Sequence, residues 1–356
     1  IGTTGTVIGD VVTPTLNTTP ESYELHQAFA QMVEAGCEYA VMEVSSQGIK
    51  MHRTDGLYFN YAIFTNISPD HIGPGEHADF EEYLYYKTRL LNMCGIGLVN
   101  KDDKHAPQII KAANCELYTY SEESKEADFV ASDIRYVSQP DFVGTEFHIS
   151  GKYDMEVRLG IPGLFNVVNA LAAVSVCSFL GLDQARISHA LENIRVNGRM
   201  EIVYTSERCT VLVDYAHNAV SMESLLSTLR DYKPKRLVCV FGCGGNRSKD
   251  RRYSMGEIGG KMADLSIITA DNSRYEKVED IIADIRGSIE KTGGKFIEIP
   301  DRREAIRYSI LHAQPGDMVA VIGKGHEDYQ EINGVRHHFL DREVIEETVK
   351  ELGEKA

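Results

Sequence analysis

Five short apolar runs recur between residues 210 and 322, at 210–213, 237–241, 265–269, 295–299 and 318–322. Segments with apolar residues at helical spacing lie between them, at 221–229, 278–288 and 303–312. A strand that is apolar on both faces needs cover on both faces, and helical crossovers between parallel strands provide it. The pattern predicts a complete doubly wound α/β domain. The first half repeats the theme less regularly. Helical spacing of Leu25, Ala28, Phe29 and Met32 precedes apolar runs at 39–44, 61–67 and 95–99, which predicts a mostly parallel sheet. From 115 to 159 the pattern turns to alternating strands, at 129–137, 145–149 and 154–159, separated by Pro140-Asp141 and Gly151-Lys152. That predicts a small antiparallel extension. Helices at 165–181 and 183–193 follow, and the periodicity breaks between 193 and 202. A chain of 356 residues is long for one core. The expected domains are 1–195 and 196–356.

The formal net charge is −16, from 53 acidic and 37 basic residues, which argues against a nucleic-acid or anionic-membrane partner. No run approaches the length of a membrane span, and no cationic segment followed by an apolar one opens the chain. The seven cysteines are scattered, and the Cys239–Cys243 spacing is no zinc-ribbon pattern. Reduced structural thiols in a cytoplasmic protein are expected.

Ligands of open α/β sheets collect at the carboxyl ends of strands, and polar clusters stand there six times. Glu43 precedes Ser45-Ser46; Asp70-His71 follows 61–67; Asp214-Tyr215-Ala216-His217 follows 210–213. Gly242 to Arg247 follows 237–241, Asp271-Asn272-Ser273-Arg274 follows 265–269, and Gly323-Lys324-Gly325-His326-Glu327 follows 318–322. Loop polarity alone accounts for any one cluster. Six at one kind of position point to a site. Glu43 and His71 are candidate ligands of a hard cation whose shell phosphates and waters would share, with a helix cap and a solvated imidazole as the plain alternatives. The glycines at 242–245 permit close backbone approach, and Arg247, Lys249, Arg251 and Arg252 supply charge for phosphate or carboxylate. The nucleotide signature GxxxxGK[ST] does not occur in these residues, and Lys324, between two glycines, lacks its spacing.

Taken together, the stretches Thr18-Thr19-Pro20-Glu21, Met42-Glu43-Val44-Ser45-Ser46, Phe64-Thr65-Asn66-Ile67, Asp70-His71-Ile72, Gly198-Arg199-Met200-Glu201, Asp214-Tyr215-Ala216-His217, Phe241 to Arg247 and Gly323 to Gln330 resemble, in this order, the UDP-N-acetylmuramoyl-tripeptide synthetase family of the Mur ligases. The resemblance covers essentially the whole chain. It implies an α/β protein in which an incomplete, mostly parallel central (ATPase) domain with a small antiparallel extension precedes a Rossmann-like C-terminal domain that accepts the amino acid. It implies further that the N-terminal domain and the Gly-Thr-Asn-Gly-Lys-Thr P-loop are missing, so that these residues are inactive alone.

Carried over by position, Thr18, Thr19, Ser45 and Arg53 would contact the UDP-muramoyl-dipeptide, and Glu43 and His71 would bind Mg2+. Lys87 matches the lysine that the family carries as a carbamate, which helps hold the second metal ion; by itself it reads as an ordinary helix lysine. His217, Asn246 and Arg247 would face ATP. Asp271, Asn272, Arg274, Gly323 and Glu327 would take the free amino acid. The implied reaction phosphorylates the dipeptide carboxylate and couples the acyl phosphate to an amine, with domain closure excluding water; a cytoplasmic monomer is expected. Arg274 favours meso-diaminopimelate over lysine, because a guanidinium pairs with a distal carboxylate. Three departures stand within the matched stretches. Gln47 replaces a histidine, Gly73-Pro74-Gly75-Glu76 lengthens the loop after His71, and Ser273 replaces a proline, which leaves the loop before Arg274 freer. Two other readings stay open: a paralogous ligase with other substrates, and a non-catalytic binder of nucleotide or precursor.

Overall fold

A computed structural model describes residues 1–353. The chain gathers into two compact units, one made of Ile1–Ala131, Ile149–Asp154 and Leu171–Gly181, the other of Ser132–His148, Met155–Ala170 and the chain from Leu182 onward.

In the second unit a six-stranded sheet runs in the order Phe296–Glu298, Leu265–Ile268, Arg236–Phe241, Asp317–Ile322, Cys209–Asp214 and Glu201–Thr205. The first five are parallel, as the apolar runs predict. Glu201–Thr205 adds an antiparallel edge that the sequence reading did not include. Alternation along the strands sorts their residues between two cores. Leu212, Cys239, Phe241, Ile268 and Ala320 join one apolar cluster, and Val213, Val240, Ile267, Val319 and Val321 the other. Both clusters are buried, which is why these strands read as unbroken apolar runs. Helices Ala219–Asp231, Lys249–Met262 and Val278–Thr292 supply the first cluster with Met222, Met255 and Ile285. Arg302–Leu311 and Asp341–Glu351 supply the second with Ile306 and Val344. Helix Lys249–Met262 escaped the periodicity because small residues replace the apolar stripe. A Cβ on Gly256 would lie 2.6 Å from the Ile285 carbonyl of the neighbouring helix, so close approach substitutes for side-chain packing there.

The strand Asp317–Ile322 lies between Arg236–Phe241 and Cys209–Asp214, so the direction of chain progress across the sheet reverses beside it. Register pairs Asp214 with Ile322 and Phe241 with Ile268, which brings the four loops that follow to one end of the sheet. Arg302 anchors two of them. It sits at the start of its helix with no exposure, grips Asp341 through two bonds of 2.7 Å, and donates to the carbonyls of Ile322 at 3.0 Å and Ala270 at 3.3 Å.

In the first unit the parallel strands Phe59–Phe64, Cys94–Asn100 and Glu116–Ser121 pair in sequence order, and the last pairs with the start of Phe129–Gln139. Phe142–Gly151 and Met155–Leu159, whose residues belong mostly to the second unit, come next in the strand order. Their connections of two and three residues suit only antiparallel neighbours. The helix Ser22–Glu34 buries Leu25, Ala28 and Met32 of the predicted stripe and half-buries Phe29. The apolar run at 39–44 forms no strand, contrary to expectation. Its backbone bonds to Ile1, by the Ile1 amino group to Val41 O at 2.8 Å and Glu43 N–H to Ile1 O at 2.9 Å. Val41 is left 82% exposed.

Removing one member of a fully buried ion pair strands the other charge, at a cost of about 3–5 kcal/mol. Asp341→Ala is therefore expected to lower the urea midpoint by that equivalent, and Arg302→Met with Asp341→Leu to recover most of it. An unchanged midpoint in Asp341→Ala would contradict the role given to the pair.

Candidate functional site

The first unit carries two side-chain groups. Thr19, fully buried, accepts the Ser45 N–H at 2.9 Å through Oγ1 and donates to the Glu43 carbonyl at 3.0 Å. Arg53 donates to the Thr19 carbonyl at 3.2 Å and pairs with Glu21 at 2.8 Å. Ser45 caps the helix Ser46–Lys50 by accepting the Gly48 N–H at 3.0 Å. The Glu43 carboxylate accepts the Thr3 hydroxyl at 2.9 Å, and that hydroxyl lies 3.1 Å from Thr18 Oγ1. Gly2 leaves room for it: a Cβ there would come 2.5 Å from Glu43 Oε1. Thr18, Thr19, Glu43, Ser45 and Arg53 are thus one connected group.

His71 and Lys87 meet around a different residue, Tyr83. The His71 ring stands edge-on to Tyr83 with centroids 5.7 Å apart, and Lys87 Nζ donates to the Tyr83 hydroxyl at 3.3 Å. His71 takes a left-handed φ of 54°, uncommon without glycine, and its ring lies 3.4 Å from Glu76. Burial pushes the Lys87 amine below the ordinary lysine range, against the pull of Asp103 and Asp70. His77, which sequence reasoning passed over, is fully buried and places Nε2 2.9 Å from Ser46 Oγ, with its ring 5.3 Å from Tyr83. Its pKa is lowered, first by burial and then by Lys50. The insertion after His71 hid its spacing. Among the described residues no group of three or more His, Cys, Asp or Glu side chains is gathered to hold a metal ion. The donors on offer, a carboxylate, an imidazole and an amine of lowered basicity that could take up carbon dioxide, suit magnesium only where phosphate and water complete the shell.

In the second unit the strand-end loops converge. Asn272 donates from Nδ2 to Glu327 Oε2 at 3.0 Å, and Glu327 Oε1 lies 3.5 Å from the Tyr215 hydroxyl. The Asp271 carboxylate accepts the Asn272 N–H at 2.6 Å, and its Oδ2 would lie 2.7 Å from a Cβ on Gly323, where φ is +113°. Only glycine suits that position. Arg274, at φ 50°, is held on three sides. Its N–H donates to Glu331 O at 2.9 Å, its carbonyl accepts the Asn333 N–H at 2.7 Å, and its guanidinium donates to Gly245 O at 2.7 Å. The freedom expected from Ser273 in place of proline is absent: Ser273 is buried, and the hairpin Tyr329–Ile332 and Val335–His338 restrains the next residue. That hairpin gave no signal in the sequence reading because both strands are short and polar.

Of the residues expected to face nucleotide, His217 donates from Nδ1 to the Tyr215 carbonyl at 2.9 Å and packs on the Tyr215 ring. Asn246 accepts the Tyr275 N–H at 3.1 Å and donates its own N–H to Glu276, which ties the glycine loop to the Asp271–Arg274 loop. Arg247 is exposed. Two cations expected to serve a ligand are committed elsewhere. Arg252 is buried and bonds Glu276 through two contacts of 2.8 Å and Asp284 at 2.9 Å, and Lys249 pairs with Asp284 at 3.0 Å. Asp214 caps its loop by accepting the N–H groups of Met200 and Ala216, and burial raises its pKa.

Residues 1–177 match the Mur ligase middle domain and residues 198–325 the Mur ligase, glutamate ligase domain. The chain belongs to the Mur ligase family, whose members are ATP-dependent ligases that require magnesium. It is 39% identical over 357 residues to the UDP-N-acetylmuramoyl-L-alanyl-D-glutamate–2,6-diaminopimelate ligase of Caldanaerobacter subterraneus subsp. tengcongensis, covering 99% of this chain and 72% of that protein. The ligase of the same name from Trichormus variabilis is 41% identical over 334 residues, 92% of this chain and 66% of its own. A solved structure of a UDP-N-acetylmuramoyl-L-alanyl-D-glutamate–2,6-diaminopimelate ligase superposes with a TM-score of 0.80 at 34% identity, over all of this chain and 73% of that one.

Lys87 provides a check on its surroundings. A buried amine with a lowered pKa resists protonation in the folded state, so the stability it permits is full above the ordinary lysine range and is lost as pH falls through the lowered value. Relative to Lys87→Met, the wild type is expected to lose unfolding free energy as pH falls through and below the ordinary lysine range. A difference that stays constant over that fall in pH would rule this environment out.

Proposed function

We propose that this chain carries the acyl-substrate, magnesium and amino-acid sites of a ligase that couples meso-diaminopimelate to the glutamate carboxylate of UDP-N-acetylmuramoyl-L-alanyl-D-glutamate at the expense of ATP. The carboxylate oxygen attacks the γ-phosphorus and ADP leaves, giving an acyl phosphate. The free amine then attacks the acyl carbon, phosphate departs with the C–O bonding pair, and the nitrogen sheds a proton. Thr18, Thr19, Ser45 and Arg53 hold the acyl substrate in this reading, and His217, Asn246 and Arg247 hold the nucleotide. Glu43, His71 and Lys87, the last as its carbamate, would hold magnesium, which when bound neutralises phosphate charge. Asp271, Asn272, Gly323 and Glu327 receive the amino acid. The acyl-substrate and magnesium groups fall to domain 1–195, and the nucleotide residues and amino-acid loops to domain 196–356. In this reading the protein works in the cytoplasm as a monomer.

The observation that carries the choice of amino acid is the restraint on Arg274. A guanidinium held by its own backbone ladder, by the Gly245 carbonyl and by the Glu331 carboxylate 3.5 Å from its Nε meets a ligand carboxylate with little loss of freedom, and it disfavours an ammonium in the same place. Removing one partner of such a desolvated pair costs about 2–5 kcal/mol. In equilibrium dialysis, Arg274→Ala is expected to weaken meso-diaminopimelate by at least about thirtyfold and to leave lysine nearly unchanged. Equal losses for both ligands, or a wild type that prefers lysine, would overturn the choice.

ATP turnover requires backbone N–H groups and a lysine around the β- and γ-phosphates, and these 356 residues contain no GxxxxGK[ST] loop to provide them. Given acyl substrate, ATP and magnesium, they are expected to release phosphate at background rate. Turnover comparable to that of the Caldanaerobacter ligase would show that another segment does the work of the loop.

A further inference from the structure

Lys324 has no part in the reaction as written, yet its side chain is fully buried in the turn after Asp317–Ile322. An ammonium without water needs partners, and its partners are therefore held in place by it. Nζ lies 3.2 Å from Glu327 Oε2 and 3.3 Å from Asn272 Oδ1, with the Tyr329 ring centroid at 5.2 Å. Asn272 Oδ1 also accepts the Glu331 N–H at 2.9 Å. Two donors on one side leave the amide a single satisfactory orientation, because the reversed amide would set NH2 against both. In that orientation Nδ2 reaches Glu327 Oε2 at 3.0 Å. One glutamate oxygen thus accepts from both Lys324 and Asn272, while Oε1 has only the longer contact of 3.5 Å from Tyr215.

We infer that Lys324 is a positioning residue of the amino-acid site: it turns the Asn272 amide and occupies one oxygen of Glu327, so that the pocket offers an oriented Oε1 and not a free anion. This rests on the assignment of Asp271–Arg274 and Glu327 to the amino acid. Its consequence is selective. With Glu327 compensated, a ligand bearing a second carboxylate meets no unpaired negative charge, and a net cationic ligand such as lysine gains no surplus attraction. Without Lys324 both effects reverse.

Two arms test it. The first needs no ligand: urea unfolding of the wild type, Lys324→Met, Glu327→Gln and the double variant. If Lys324 acts on Glu327, adding Glu327→Gln to Lys324→Met restores stability that the single change lost, whereas a merely space-filling lysine gives additive losses. Lys324→Gln, polar but uncharged, takes the place of methionine if that variant fails to fold. The second arm is equilibrium dialysis with labelled meso-diaminopimelate and lysine. Lys324→Met is expected to lower the ratio of their affinities by at least about tenfold. Additive stabilities or an unchanged ratio would overturn the inference. A wild-type preference for lysine would instead remove the diaminopimelate reading, and the ligand-free cycle would still decide the role of Lys324.

Discussion

The ion pair between Arg302 and Asp341 joins the start of one helix to the start of another, and neither side chain has any exposure. Its remaining bonds reach the carbonyls of Ala270 and Ile322, the residues just before Asp271 and Gly323. The loops that begin at Asp271 and Gly323 therefore both leave the sheet from points held by one guanidinium. Such a charge is expensive to bury, and its planar fork is what lets it meet a carboxylate and two carbonyls at once. The apolar clusters on the two sheet faces make the domain fold, but they say nothing about where the loops begin.

From those fixed points the loops are shaped by close backbone approach. A Cβ at Gly245 would overlap the Ser273 carbonyl, and one at Gly242 the Thr269 carbonyl, so the glycine loop lies directly against the Asp271–Arg274 loop. Asn246 and Arg274 both take left-handed φ values, of 53° and 50°. Residues other than glycine hold such conformations only under restraint from outside. Here the restraint comes from Glu276, itself held by buried Arg252, and from the hairpin that begins at Tyr329. Charge that looked available for phosphate is spent on holding the site in shape.

Much of this was legible beforehand. Strands that are apolar throughout, such as 318–322, announce a sheet covered on both faces, and the polar clusters after them announce where a ligand would lie. What escaped were elements without a hydrophobic period: the glycine-bearing helix Lys249–Met262, the polar hairpin, and the antiparallel edge Glu201–Thr205. The run at 39–44 erred the other way, because apolar character predicts burial and strand formation needs a pairing partner as well. His77 was hidden by the insertion before it, and Lys324 was set aside because its neighbours did not form a phosphate loop.

The sequence by itself determined the class of fold, the order of the strands along the chain, and the residue types at each strand end, since these follow from periodicity and local composition. Only the tertiary structure decided which cations face a ligand and which are buried in pairs. Arg252 and Lys324 are indistinguishable in sequence from the exposed Arg247. Burial and hydrogen-bond partners arise from strands and helices far apart in the chain, and a side chain's charge is free or spent according to those partners alone.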